Sequence, residues 1–146
     1  SKLRPGSLRG SAAAAGARSL LFEGGEAHRF DEDVIRVGVA GAKRVLHEMG
    51  ILPSAPALPP GSPVLIRSSK WIRAGRSGFA HVYVEMGQEV ARGEKLASVT
   101  ETTNDHEHIV RSRISGVVIG ALRSALIHRG DGLIHIGQTA QEAAAE

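Results

Sequence analysis

Five of the chain's six prolines fall between residues 53 and 63: Pro53, Pro56, Pro59, Pro60 and Pro63. Proline fixes φ and donates no backbone hydrogen bond, so this run can be neither helix interior nor central strand. It favours extended polyproline geometry and acts as a semi-rigid connector. Domain limits fall in stretches of that kind. The sequence therefore predicts a first unit at residues 1–52, a linker at 53–63, a second unit at 64–137 and a polar, Ala-rich tail at 138–146 that frays.

Residues 1–52 read as helix, strand, helix. Ser7 is placed to cap a short Ala-rich helix, Leu8 to Ala15, closed by Gly16. Leu20-Leu21-Phe22 is too short an apolar run for a helix and predicts a buried strand, which stops at Glu23-Gly24-Gly25. Asp31 caps a second helix, with Glu32 and Asp33 favourably placed in its positively polarised first turn. Val34, Ile35, Gly38, Ala42, Val45, Leu46 and Met49 recur at helical spacing and predict one buried stripe. Gly50 ends this helix and Pro53 prevents its resumption.

Residues 64–137 alternate short Val/Ile/Leu runs with glycine turns, a strand-rich pattern. They also contain an approximate repeat. Ser77-Gly78 is followed fifteen residues later by Gly93-Glu94-Lys95-Leu96, and Ser115-Gly116 fourteen residues later by Gly130-Asp131-Gly132-Leu133. Two such halves packed face to face predict a small β-sandwich.

Composition excludes several classes. Cysteine is absent, which removes disulfides and thiolate metal sites and suits a reducing compartment. No stretch approaches the roughly 18 apolar residues of a membrane span. The Ala- and Gly-rich start lacks the long apolar core of a secretory signal. The net charge of +3 comes from scattered Arg and Lys interleaved with acids, beside only three Phe, one Tyr and one Trp. A nucleic-acid module would concentrate charge on one face and add stacking aromatics. The expectation is a cytoplasmic protein without nucleic-acid or membrane partners.

Glu23 is the most informative single position. A carboxylate directly after a buried strand, followed by two glycines, stands where open α/β sheets place their sites. Glycines there permit a sharp bend and close approach of a ligand. Burial beside the strand would raise the carboxyl pKa, as general acid–base work near neutrality requires. A solvated loop glutamate, or one in a surface ion pair, fits the same spacing.

Leu20-Leu21-Phe22-Glu23-Gly24-Gly25-Glu26-Ala27-His28-Arg29-Phe30-Asp31 resembles the segment that delivers the catalytic glutamate in the succinylglutamate desuccinylase/aspartoacylase family. Val45-Leu46-His47-Glu48-Met49-Gly50-Ile51-Leu52-Pro53 is similar to the family in the same order. So is the later pairing of Ser77-Gly78 and Gly87-x-x-Val90-x-x-Gly93 with Ser115-Gly116-Val117-Val118-Ile119-Gly120. The resemblance covers nearly the whole chain. It implies the C-terminal part of a zinc-dependent amidohydrolase: an α/β fragment from the end of a zinc-carboxypeptidase-like domain, then an all-β barrel-sandwich domain of lipoyl-like shape. It implies cleavage of N-acyl amino acids by metal-activated water, with Glu23 as general acid/base and Glu26 as the fallback. Arg9 would clamp a substrate carboxylate, the task that suits a planar guanidinium, with Arg4 and Arg29 as weaker candidates. The implied partners are a small N-acyl amino acid and the other half of the catalytic domain. The β-domain would shape substrate access or subunit contacts, which leaves room for a homo-oligomer.

The departures matter equally. The family's zinc is held by an H-x-x-E pair and a later His, all placed before the region represented here, and this chain has no H-x-x-E, so zinc is expected in the longer enzyme and not on this chain alone. His106-Glu107-His108 would set two histidines on one face of a strand, but Asn104-Asp105 is a turn signal and a solvated polar hairpin fits as well. His28, His47, His81, His128 and His135 are scattered. Lipoyl and biotinyl carriers need a lysine in the hairpin between their halves; Thr100 to His108 contains none. A non-catalytic barrel-sandwich module for binding or assembly, and a catalytically dead deacylase relative, are the competing readings.

Overall fold

A computed structural model describes residues 3–103 and 106–144. Two compact units divide it at Pro60–Gly61, inside the proline-rich segment. Among the described residues no helix is long and apolar enough to cross a membrane.

Unit 1, residues 1–60, carries two helices, α1 (Leu8–Ala14) and α2 (Glu32–Glu48). Both start as the sequence requires. The Ser7 hydroxyl accepts the Gly10 N–H at 3.1 Å, and the Asp31 carboxylate accepts the Val34 N–H at 3.2 Å, each satisfying a donor that the first turn leaves orphaned. Both helices are followed by a glycine at positive φ, Gly16 at 76° and Gly50 at 73°. The Gly50 N–H donates to the His47 carbonyl, and the His47 ring meets the Leu52 carbonyl at 2.9 Å.

Two expectations for this unit fail. Residues 17–30 form no strand, and Leu20, Leu21 and Phe22 are 84%, 56% and 58% exposed. A strand needs a neighbour for its alternate N–H and C=O groups, and the described residues of unit 1 include none. The apolar stripe of α2 is also not buried: Ile35, Val45, Leu46 and Met49 all stay exposed, and no residue of the helix is buried. The periodicity is there without a layer to cover it. The α/β fragment is thus, in this chain, helix–loop–helix.

Unit 2, residues 61–146, holds the core. Its strands are β1 (Ser68–Arg73), β2 (Gly78–Val82), β3 (Glu89–Val90), β4 (Lys95–Thr100), β5 (Glu107–Arg111), β6 (Gly116–Ala121), β7 (Leu126–Ile127) and β8 (Gly132–Gln138), followed by the short helix α3 (Ala140–Ala144). They make two four-stranded antiparallel sheets, ordered β1-β8-β6-β3 and β5-β4-β2-β7. Exchanging β1–β4 with β5–β8 turns one order into the other, so the sequence repeat is a structural repeat. The halves interlace, however, and do not form one sheet each. Every sheet takes two strands from each half.

Interlacing lets Ile72, Leu96, Val99, Val118, Ile127, Leu133, Ile134 and Ile136, drawn from both sheets, form one buried cluster. Side chains alternate faces along a strand, and the inward sets meet in a sandwich core. Among the described residues seven large side chains are fully buried, and each such burial stabilises by about 1.5–3 kcal/mol.

Among the described residues of the tail, 138–144, regular structure continues. Gln138 ends β8, and α3 follows. The Glu142 carboxylate accepts the Thr139 N–H at 2.7 Å while the Glu142 N–H donates back to the Thr139 hydroxyl at 3.4 Å. This reciprocal cap is legible in Thr139-Ala140-Gln141-Glu142, and the Ala-rich composition hid it.

Candidate functional site

The segment between α1 and α2 presents Glu23. Its shape depends on one ring. A Cβ on Gly24 would lie 3.2 Å from the Phe22 ring and 2.7 Å from Val34, and a Cβ on Gly38 would lie 2.8 Å from the same ring. The Phe22 ring therefore lies close to both Gly24 and, on α2, Gly38, where neither glycine has a side chain to displace it. Gly25 at φ 83° and His28 at φ 65° continue the turn, a backbone region that few residues other than glycine visit.

Glu23 leaves this turn exposed and without an ion pair among the described residues. The desolvation expected from a buried strand is absent with the strand itself. Glu26 is different: its carboxylate pairs with Arg29 at 2.8 Å. That contact occupies both the fallback carboxylate and one of the candidate arginines. Arg9 lies half-buried on α1, and Arg4 is exposed just before it. A hollow of about 130 Å³ lined by Gly24, Gly25, Glu26, Arg29, Phe30, Asp31, Val34 and Ile35 adjoins the turn, and neither Glu23 nor Arg9 lines it. Small-molecule sites usually enclose some 300–1,000 Å³.

The histidine triplet resolves differently. Asn104 and Asp105 lie outside the described residues. His108 is paired with Glu101, Nε2 to Oε1 at 3.0 Å, and Arg76 approaches the same oxygen at 3.7 Å. Zinc requires at least three converging nitrogen or oxygen donors where cysteine is missing. Among the described residues no group of three or more His, Asp or Glu gathers, so these residues do not fit the zinc that the resemblance implies.

A polar network that the sequence reading did not single out lies on the outer face of the β5-β4-β2 strands. The Tyr83 hydroxyl is 2.7 Å from that of Ser98 and donates to Glu107 at 3.3 Å. Lys95 Nζ stands 4.2 Å from the centre of the Tyr83 ring, and His81 stacks on that ring at 4.9 Å. The Ser98 hydrogen bond holds the Glu107 carboxyl below the usual range, aided by Lys95, Tyr83 and His81 and opposed by desolvation. On the other sheet Trp71 stacks on His135 at 4.5 Å and 11°. Burial pushes the His135 imidazole down from its ordinary value. The sequence carries no local signal for either cluster, because their members meet only across strands.

No family model matches the chain, and no curated protein matches it. Solved structures do. The product-bound ectoine utilization protein EutE (DoeB) from Ruegeria pomeroyi is 24% identical over 76% of this chain and 35% of its own, with a TM-score of 0.67. The succinylglutamate desuccinylase/aspartoacylase from Rhodobacter sphaeroides is 22% identical over 76% of this chain and 37% of its own, TM-score 0.67. A succinylglutamate desuccinylase/aspartoacylase family protein from Shewanella amazonensis SB2B is 18% identical over 90% of this chain and 39% of its own, TM-score 0.63. The fold is the one these deacylase-family structures contain. Unit 2 is less than two thirds of the chain, so a match covering 76% of it takes in residues of unit 1 as well. The chain spans 35% to 39% of the length of these three proteins.

Proposed function

We propose that this chain is the C-terminal part of a deacylase that hydrolyses the amide bond of an N-acyl amino acid or a similar small substrate. The observation that carries the proposal is the structural likeness that runs through both units, together with a Glu23 that makes no ion pair among the described residues while Glu26 is tied to Arg29. In this reading the Glu23 carboxylate takes a proton from the attacking water as the water oxygen bonds to the acyl carbon. It then delivers that proton to the departing amine as the C–N bond breaks. Arg9 binds a substrate carboxylate. The polypeptide that completes the catalytic domain covers the exposed apolar residues of unit 1 and supplies the zinc ligands. Unit 2 is an accessory barrel-sandwich of lipoyl-like shape, and the enzyme works in the cytoplasm.

The test is Glu23→Gln in the complete enzyme. The amide is isosteric, so zinc content and folding should stay as they were while turnover falls about a hundred- to ten-thousand-fold. Near-normal turnover in Glu23→Gln beside a severe loss in Glu26→Gln would move the role to Glu26.

A further inference from the structure

β5 is the outer strand of its sheet, and the ladder shows which of its backbone groups are open. The Glu101 N–H donates to the His106 carbonyl, and the Ser112 N–H to the Glu94 carbonyl. Bonded and non-bonded pairs alternate along an antiparallel ladder. His108 and Val110 therefore turn their N–H and C=O groups toward β4, opposite Val99 and Ala97. Glu107, Ile109 and Arg111 turn theirs to the open edge.

The side chains divide the same way. His108 and Val110 are half-buried, and Val110 packs on the core; Glu107, Ile109 and Arg111 are exposed. The residues whose backbone is open thus present an acid, an apolar group and a base, with Ile109 at the centre. A second copy running antiparallel, with Ile109 opposite its counterpart, sets Glu107 against the partner copy's arginine at one end and Arg111 against its glutamate at the other. Each facing pair can exchange both of its backbone bonds. Opposite charges directly across strands stabilise such a register, and like charges destabilise it. The other edges lack this property. β1 carries Lys70 and Arg73 and no acid, while β3 and β7 are two residues long.

We propose that two copies of this chain associate edge to edge through β5, antiparallel about Ile109, joining two four-stranded sheets into one. An interface made by a two-fold axis must be self-complementary, residue i on j and j on i, and the Glu107–Ile109–Arg111 alternation meets that condition on one short strand. The existing contacts leave capacity for it. Glu107 accepts hydrogen bonds from Ser98 and, at 3.3 Å, from Tyr83, and Arg111 gives one to the Gly93 carbonyl at 3.0 Å. A carboxylate has two oxygens and a guanidinium five N–H groups. The proposal uses residues of unit 2 alone and does not depend on the deacylase reading.

Sedimentation velocity on the full chain, from micromolar to millimolar concentration at low salt, tests it. The expected result is a monomer–dimer equilibrium. E107R and R111E should each weaken the dimer about tenfold or more, because each sets like charges at both ends of the interface. The double variant E107R/R111E should restore it. That recovery separates register-specific pairing from damage to the fold. A monomer at every concentration would overturn the proposal. So would a dimer indifferent to both reversals, which would place the contact elsewhere, for example on the exposed apolar residues of unit 1.

Discussion

Gly78 and Gly116 occupy the same place in the two halves of the β-unit, at φ 153° and 154°. Each lies against a carbonyl of the strand beside it: a Cβ would fall 2.1 Å from the Thr100 oxygen in one and 2.3 Å from the Gly137 oxygen in the other. The two strands that these glycines open, β2 and β6, hold matching positions in the two sheets. The repeat is therefore conserved in backbone demand as well as in residue spacing.

Alanine at either glycine should be costly. The collision is with backbone, which cannot swing aside as a side chain can, and the φ value is one that L side chains rarely adopt. Strain of this kind and overpacking each cost about 1–3 kcal/mol. Gly78→Ala and Gly116→Ala should each lower unfolding stability by roughly that sum in urea titrations followed by Trp71 fluorescence. A loss under about 0.5 kcal/mol, the level of a neutral surface change, would contradict the close approach.

Trp71, the sole tryptophan, should report the titration of His135. The rings are stacked at 4.5 Å, so protonation of the imidazole should change the indole emission. Burial lowers the folded-state pKa of His135, so the midpoint should fall below that of an unfolded histidine. The linkage follows in sign. Between the two values the unfolded chain binds the proton and the folded chain does not, so His135 favours folding above the unfolded pKa. That contribution is lost as pH falls through the folded pKa. His135→Gln should flatten this part of the stability–pH curve and abolish the fluorescence transition. A midpoint above the ordinary imidazole value would reverse the assignment.

Truncations should separate the two apolar populations. Leu96→Ala or Ile134→Ala, both at fully buried positions, should destabilise the β-unit by about 2–5 kcal/mol. Leu20→Ala, at a position 84% exposed, should stay within about 0.5 kcal/mol. Equal losses at Leu20 and Leu96 in denaturant melts would show that Leu20 is buried in solution.

Hydrogen exchange should order the elements by burial. Amides of β4, β6 and β8, whose side chains form the core, should open only near the global unfolding energy. Those of residues 17–30 should exchange close to the unprotected rate. Helix α2, hydrogen-bonded but without a buried residue, should fall between. Protection in α2 equal to that in β8 would mean that its apolar stripe is covered.

Sequence alone determined what depends on near neighbours. The Ser7 and Asp31 caps, the closing Gly16 and Gly50, and the repeat marked by Gly78 and Gly116 follow from local backbone sterics and from donors within one turn. Periodicity also identified α2 as a helix with an apolar stripe. Whether that stripe, or Leu20-Leu21-Phe22, is buried depends on a partner layer, which periodicity cannot supply; in this chain both remain exposed. The interlacing of the halves was likewise settled in three dimensions, because the same strand pattern permits one sheet per half or two strands of each half per sheet. At Glu23 the sequence placed a carboxylate after an apolar run and before two glycines. Tertiary structure decided that it stands exposed in a turn beside Phe22, while long-range pairing brought Tyr83, Ser98 and Glu107 together. Local chemistry acts over a few residues; burial and cross-strand contact depend on segments far apart in the chain.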